Sequence, residues 1–342
     1  MTEYKVSVII PVYNAQDILE VTINSVINQT IGFDNIELIL VDDKSSDNSG
    51  EIIQKYSTKY SNIKGIFLKN NSGGASTPRN EGIKHSTADY IMFMDSDDEI
   101  LNDYCEVLYN AITKHDCDIV HCDNASKLND RIYIPKSIDE INNDEKIFEE
   151  GDDEKLLLKH VAWANIYKAS LIKDNNITFP DTNYDDGVFS INCLIKTSKP
   201  VVNLFNYPGY IYLIENESSI THSANIKLLD GFIEGYKLCN NLIKNTSNDF
   251  KNRLNASFIN MVLFILFKLD NIDEGIRSIY LYESSFDFKI DLNSKLLNYI
   301  NQKIITKKFK QAKILIIFIK LFYNNKSIRN KLFIKFGNLK EK

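Results

Sequence analysis

The sequence has little with which to staple, anchor or repeat itself. Its five cysteines, Cys105, Cys117, Cys122, Cys193 and Cys239, form an odd and scattered set without framework spacing. A disulfide scaffold is therefore excluded, and reduced thiols in the cytoplasm are the expectation. Met1–Lys5 does not read as the start of a signal peptide. No apolar run reaches the roughly 20 residues that a spanning helix needs, and there is no internal repeat or long low-complexity linker. A Gly-x-Gly-x-x-Gly turn is missing after the first apolar run, which counts against a dinucleotide fold. His115, Asp116, Cys117, His121 and Cys122 cluster, but their spacing fits no standard zinc pattern.

What is present is a folded chain of 342 residues, 44% hydrophobic and 25% charged, long enough for one large domain or two ordinary ones. The net charge of −6 is unevenly spread. Residues 303–342 hold 12 Lys and Arg against one acidic residue, Glu341, which leaves 28 basic and 45 acidic residues in the remainder. A basic tail on an acidic body is a separated field that selects partners. Lysines alternate there with bulky apolar residues over Phe309–Phe336, the pattern of a helix lying on anionic lipid. The same apolar residues also suit packing on the protein or on a second subunit. No module that reads nucleic acid accompanies the charge.

Strand and helix patterns alternate through the first third. Val6–Pro11, Ile36–Val41, Ile63–Leu68, Tyr90–Met94 and Asp118–Cys122 read as strands. Gln16–Gln29, Asp47–Tyr60, Pro78–His85 and Leu101–Lys114 read as helices. That order predicts an α/β fold, a mostly parallel sheet with helices on both faces and its ligand at the carboxyl ends of the strands. Asn124–Lys155 reads as a polar connection over the active face, with Arg131–Ile134 a short strand. Val161–Lys173 and Gly187–Lys196 are expected as helices, Val201–Phe205 and Tyr210–Ile214 as strands. From residue 225 the pattern turns helical, with Leu228–Asn245, Asn252–Leu269 and Glu274–Ser284 as candidates. The expected division is a catalytic domain over 1–224 and a helical region over 225–342.

The unusual polar residues stand at the ends of the apolar runs. Ile91–Met94 stops in Asp95-Ser96-Asp97-Asp98. Carboxylates are costly to bury unpaired, and in extended backbone Asp95 and Asp97 point to one side. Two such carboxylates suit a hard divalent cation that also holds phosphate oxygens. Pro11 ends the first strand, and Tyr13 is placed either to lie over a nucleobase or as a plain rim aromatic. Asp43, after the second strand, has the chemistry to accept a uracil N3–H or ribose hydroxyls. Gly73 and Gly74 follow Asn71 and permit close backbone approach. Arg79 falls in the first turn of the next helix, where the dipole disfavours a cation unless a pyrophosphate offsets it. Asp185 and Asp186 precede a later helix and offer a base for a hydroxyl, and His222 is a candidate third ligand to the cation.

Together these segments resemble the inverting, nucleotide-sugar glycosyltransferases of family 2, of GT-A type. The strings are Val6-Ser7-Val8-Ile9-Ile10-Pro11-Val12-Tyr13-Asn14, Leu40-Val41-Asp42-Asp43-Lys44-Ser45-Ser46-Asp47 and Phe93-Met94-Asp95-Ser96-Asp97-Asp98. Asn71-Ser72-Gly73-Gly74 with Pro78-Arg79-Asn80 is similar to wall teichoic acid β-N-acetylglucosaminyltransferases. The resemblance implies that Pro11, Tyr13, Asp43, Asn71, Arg79 and Asp95 hold the donor. It implies an Asp-x-Asp motif at Asp95 and Asp97, with Asp97 or Asp98 the direct ligand of Mn2+ or Mg2+. It places the base at Asp186, with Asp185 as acceptor support where the family commonly has Glu. Processive relatives carry Gln-x-x-Arg-Trp and membrane spans; the sole tryptophan here is Trp163, after Ala162. A non-processive enzyme is expected, moving a sugar from a UDP-sugar to a glycan, polyol-phosphate or lipid-linked hydroxyl with β-linkage. It would be cytoplasmic and peripheral at the inner membrane face through the tail, with homo-oligomerisation open. A nucleotidyltransferase and an inactive sugar-nucleotide-binding scaffold are the competing readings.

Overall fold

A computed structural model describes residues 4–128, 131–135, 145–214, 226–266 and 339–341, with isolated residues between 269 and 316. Four strands form a parallel platform in the order β3-β2-β1-β4: β1 (Val6–Val12), β2 (Ile36–Asp42), β3 (Ile63–Phe67) and β4 (Tyr90–Phe93). β1 and β2 are buried at every position. That is why each reads as a nearly continuous apolar run rather than an alternating one. The even positions of β1, Val6, Val8, Ile10 and Val12, pack with helices α1 (Leu19–Ile27) and α4 (Tyr104–Lys114). On the other face, helix α3 (Ser76–His85) comes so close to β1 that a Cβ on Gly82 would lie 2.3 Å from the Ile9 side chain. Helix α2 (Ser49–Lys59) connects β2 to β3.

Beyond β4 the sheet becomes mixed. β9 (Asn165–Lys168) runs antiparallel between β4 and β6 (Ile119–Leu128), and β7 (Arg131–Pro135) pairs antiparallel with β6. β10 (Val201–Leu213) lies parallel to β6 and carries β5 (Glu99–Ile100) and β8 (Lys146–Phe148) antiparallel. Three segments differ from expectation. Val161–Lys173, expected as one helix, is β9 followed by the short helix α5 (Ala169–Asp174). The gap between β4 and β6 requires a strand, and local periodicity carries no record of that gap. The two strands expected over 201–214 are one long strand whose register with β6 shifts around Pro208, a residue with no N–H to pair. The connection expected after Asn124 also supplies the end of β6 and the strand β8, while its expected short strand, Arg131–Ile134, is β7.

Pro11 does not end β1, which continues to Val12. Ile9 accepts from Met94 N on the β4 side, and Val12 accepts from Asp43 N on the β2 side. Pro11 shares the β4-facing parity of Ile9, and β4 has already ended there, so its missing donor costs nothing.

The chain forms two compact units. The first comprises residues 1–181, 185–216 and 338–342; the second comprises 182–184 and 217–337. The last residues return to the first unit, because β11 (Leu339–Glu341) pairs antiparallel with β7. In the second unit, helices α7 (Ile226–Leu242) and α8 (Asn248–Leu266) pack through Tyr236 stacked on Phe258 at 3.6 Å. Tyr184 joins that aromatic group. The helix expected over Glu274–Ser284 and most of the basic tail lie outside the described residues. Among the described residues no helix is long and apolar enough to cross a membrane.

Candidate active site

The carboxyl end of β4 passes directly into a tight turn. Asp98 N donates to the Asp95 carbonyl at 3.3 Å, so residues 95–98 are folded back and not extended as expected. The Thr22 hydroxyl of α1 lies 2.9 Å from the Ser96 carbonyl and 3.0 Å from that of Asp98, pinning the turn from outside. The turn separates the carboxylates. Asp98 points inward with 1% exposure and accepts from the Tyr210 hydroxyl at 2.7 Å and from Leu213 N at 2.8 Å. Burial, and then the charges of Asp95 and Asp97, raise its pKa well above the usual carboxylate range. A side chain committed in this way is no outward ligand, so Asp98 leaves the candidate metal set. Asp95 and Asp97 remain half-buried.

Arg79 lies at the centre of the site. Its guanidinium is 5% exposed and makes ion pairs with Asp95 (2.7 Å), Asp186 (2.6 Å) and Asp185 (3.1 Å). A buried guanidinium needs such partners, because an unpaired one carries a large desolvation cost. Both terminal nitrogens of Arg79 serve carboxylates in this arrangement. The Phe179 ring lies 5.3 Å beneath the guanidinium carbon and stacks on Phe189 at 3.9 Å. This apolar floor sets the height of the charged cluster.

Asp185 and Asp186 begin helix α6 (Asp185–Lys196). The Ser76 hydroxyl reaches Asp185 at 3.0 Å and the Pro180 carbonyl at 2.9 Å, while Asn80 brackets Phe179 through its N–H and its carbonyl. Helix α3 thus holds the entry to α6 at three residues, Ser76, Arg79 and Asn80. The Asp186 carboxyl is pushed up to about 7. Burial is the largest cause, and the charges of Asp185 and Asp95 add to it; Arg79 and the Ala162 N–H pull the other way. A carboxylate near neutrality in a cleft is suited to accept a proton.

Of the expected nucleotide-side residues, Asp43 and Asn71 are bonded to each other. Asp43 is 3% exposed and accepts from Ser72 N (2.9 Å), Ser72 Oγ (2.9 Å) and Asn71 Nδ2 (3.2 Å). It ties the end of β2 to the glycine-containing loop, and Asn71 serves that tie. Burial raises the Asp43 pKa. Tyr13 projects from the end of β1 at 53% exposure. The two loops beside it are laced together by Asn14, whose Oδ1 accepts from Ser46 N, and by Ser49, whose hydroxyl accepts from Ala15 N.

Among the described residues no group of three or more His, Cys, Asp or Glu is placed to hold an ion. A hard cation held by one or two carboxylates and by diphosphate oxygens needs no such group, and Asp95 and Asp97 stand half-buried at the carboxyl end of β4. His222 lies outside the described residues. Sequence reasoning missed Tyr210 and Thr22, because neither stands in a motif and both reach the turn only through the fold.

The sequence model of Glycosyl transferase family 2 matches residues 7–169. A cholesterol galactosyltransferase of Borreliella burgdorferi is 31% identical over 281 residues, covering 78% of this chain and 75% of that one. The chain belongs to glycosyl transferase family 2. A poly(ribitol-phosphate) β-glucosyltransferase of Bacillus spizizenii is 37% identical over 216 residues, 62% of this chain. The match spans only 33% of that longer relative. Staphylococcus aureus TarS 1–349, crystallised with UDP-GlcNAc, superposes with a TM-score of 0.72 at 23% identity, covering 91% of this chain and 90% of TarS 1–349. This family-2 chain therefore has the GT-A fold expected of it.

Proposed function

We propose that this family-2 protein is a metal-dependent, inverting, non-processive glycosyltransferase. It would move a sugar from a UDP-sugar to a hydroxyl of a polyol-phosphate or related cell-surface acceptor. The observation that carries the reading is the Arg79 cluster, which sets Asp186, raised to about 7, against the strand-end carboxylate Asp95 at ion-pair distance from one guanidinium. The names of the relatives support the substrate classes: a poly(ribitol-phosphate) acceptor in the Bacillus protein and UDP-GlcNAc bound to TarS.

In this reading Asp186 takes the proton of the acceptor hydroxyl as that oxygen bonds to the anomeric carbon. The anomeric C–O bond to the diphosphate breaks, and its electron pair leaves with UDP. A single displacement converts an α-linked donor into a β-linked product. Asp97, aided by Asp95, would hold Mn2+ or Mg2+, which when bound neutralises charge on the departing diphosphate. Arg79 acts as a positioning residue, keeping Asp185 and Asp186 together and Asp186 partly charged. Asp43 and Asn71 shape the loop beside the base-binding end, and Tyr13 offers its exposed ring to a nucleobase. The basic tail would rest on an anionic membrane surface.

The test incubates the full chain with UDP-glucose, UDP-galactose or UDP-GlcNAc, Mn2+ and a poly(ribitol phosphate) acceptor, and follows UDP release and product mass. Asp186→Asn should lower kcat by about 10²–10⁴-fold while donor binding, read by calorimetry, persists. Substantial turnover by that variant would overturn the base assignment.

A further inference from the structure

Trp163 is the sole tryptophan of the chain, and none of the roles above uses it. It lies in the short segment before β9, beside the residue whose N–H reaches Asp186, Ala162. That segment is rigidly held. The Asn165 amide donates to the Val161 carbonyl at 2.9 Å and to the Trp163 carbonyl at 2.7 Å, and the Ser190 hydroxyl of α6 donates to Val161 at 2.8 Å. Ala164 adopts φ +57°, a left-handed conformation that a non-glycine residue keeps only when its surroundings impose it.

The indole stacks on Tyr210 at 4.6 Å with an interplanar angle of 21°, and lies nearly parallel to Tyr212 at 5.9 Å and 11°. Tyr210 is buried, and its hydroxyl is bonded into the carboxylate turn. Trp163 and Tyr212 are only half-buried. The Tyr212 ring lies close enough to Asp98, Asp95 and Asp97 for their charges, after burial, to raise its pKa. The pair thus lies beside the metal-type turn, on a segment that also touches the candidate base through Ala162. Among the described residues, neither the Trp163 indole N–H nor the Tyr212 hydroxyl forms a hydrogen bond with the protein, and both side chains are half-buried. Tyr and Trp tips placed only for packing usually find a protein partner when buried. Parallel aromatic rings with two open polar tips beside a reacting carboxylate have the make-up of a ligand wall.

We propose that Trp163 and Tyr212 form the acceptor platform, resting on the family-2 transfer reading above. The C–H face of the polyol or sugar unit that carries the attacked hydroxyl packs on the rings. The indole N–H donates to one of its oxygens, and the Tyr212 hydroxyl bonds a second. The acceptor is favoured over the donor because the segment bearing Trp163 also contacts the residue that takes the acceptor's proton.

Because Trp163 is the only indole, its fluorescence reports this one place. Titration of the full chain with a short ribitol-phosphate oligomer, without donor, should shift the emission saturably, and Tyr212→Phe should weaken that binding at least fivefold. In turnover, Trp163→Ala should raise the acceptor KM tenfold or more with little change in donor KM, and Trp163→Phe should recover most of it. No emission change with the oligomer, or an effect on donor KM alone, would overturn the platform. If the wild-type chain transfers no sugar yet binds the oligomer with Tyr212 dependence, the platform stands and the transfer reading fails. Transfer with unaltered acceptor KM in Trp163→Ala means the reverse.

Discussion

The Tyr210 hydroxyl donates to the buried carboxylate of Asp98 at 2.7 Å while accepting from the backbone N–H of Asp95 at 3.1 Å. One phenol on β10 thereby fixes the fold-back that turns Asp98 inward. Tyr210→Phe leaves a buried carboxylate short of a donor, at a cost of about 1–3 kcal/mol. Chemical denaturation should show that loss, and the metal concentration needed for half-maximal activity should rise as the turn loosens.

Asp97 and Asp98 should separate cleanly by variant. Asp97→Asn should raise the Mn2+ requirement at least tenfold with the denaturation midpoint unchanged. Asp98→Asn should lower stability, because its carboxylate receives two buried hydrogen bonds. Chelation by EDTA should abolish transfer in the wild type, and added Mn2+ should restore it. An Asp97→Asn enzyme with the wild-type metal requirement would refute the assignment.

The pH profile follows from Asp186. Its proton must be absent for it to act as base, so kcat/KM should rise about tenfold per pH unit below about 7 and level off above it. Arg79 holds that pKa down against burial and two neighbouring carboxylates. A lysine cannot span all three partners, so Arg79→Lys should move the acid limb to higher pH. An acid limb that stays in place would separate Arg79 from Asp186.

Within the second unit, residues 182–184 are held tightly against α7. A Cβ on Gly231 of α7 would lie 1.9 Å from Asn183 Oδ1, and one on Gly235 would lie 2.8 Å from both Thr182 Oγ1 and Tyr184 Cβ. Gly231→Ala should cost about 1–3 kcal/mol by overpacking, seen as a lowered Tm. A variant as stable as the wild type would show that this seat is looser than the contact implies.

Neutralising Lys307, Lys308 and Lys310 together should weaken sedimentation with phosphatidylserine vesicles. At about 1 kcal/mol per lysine, the loss is on the order of 100-fold and should vanish at high salt. Equal binding by the variant and the parent would rule out the tail as the contact.

Much of the platform was legible in the chain because its physics is local. β1 and β2 are buried on both faces, so their sequences are continuous apolar runs, and the helices between strands keep their own periodicity. The same locality misread 161–173, where the strand β9 exists only because β4 and β6 leave room for it. Asp95, Asp97, Asp185 and Asp186 stood out because carboxylates at strand and helix ends have no packing reason to be there.

The sequence by itself determined the order of strands and helices, the polar strand ends and the candidate base, since each depends on neighbours a few residues away. Only the tertiary structure decided which charge meets which. Arg79 is 106 residues from Asp185 and 107 from Asp186, and only close packing of α3 against β1, with no Cβ at Gly82, brings its buried guanidinium to them. A guanidinium so enclosed must pair with carboxylates, and it pairs with those of Asp95, Asp185 and Asp186. The fold likewise turned Asp98 inward and set the lone tryptophan against Tyr210 and Tyr212. Both outcomes depend on long-range contacts that no window of sequence contains.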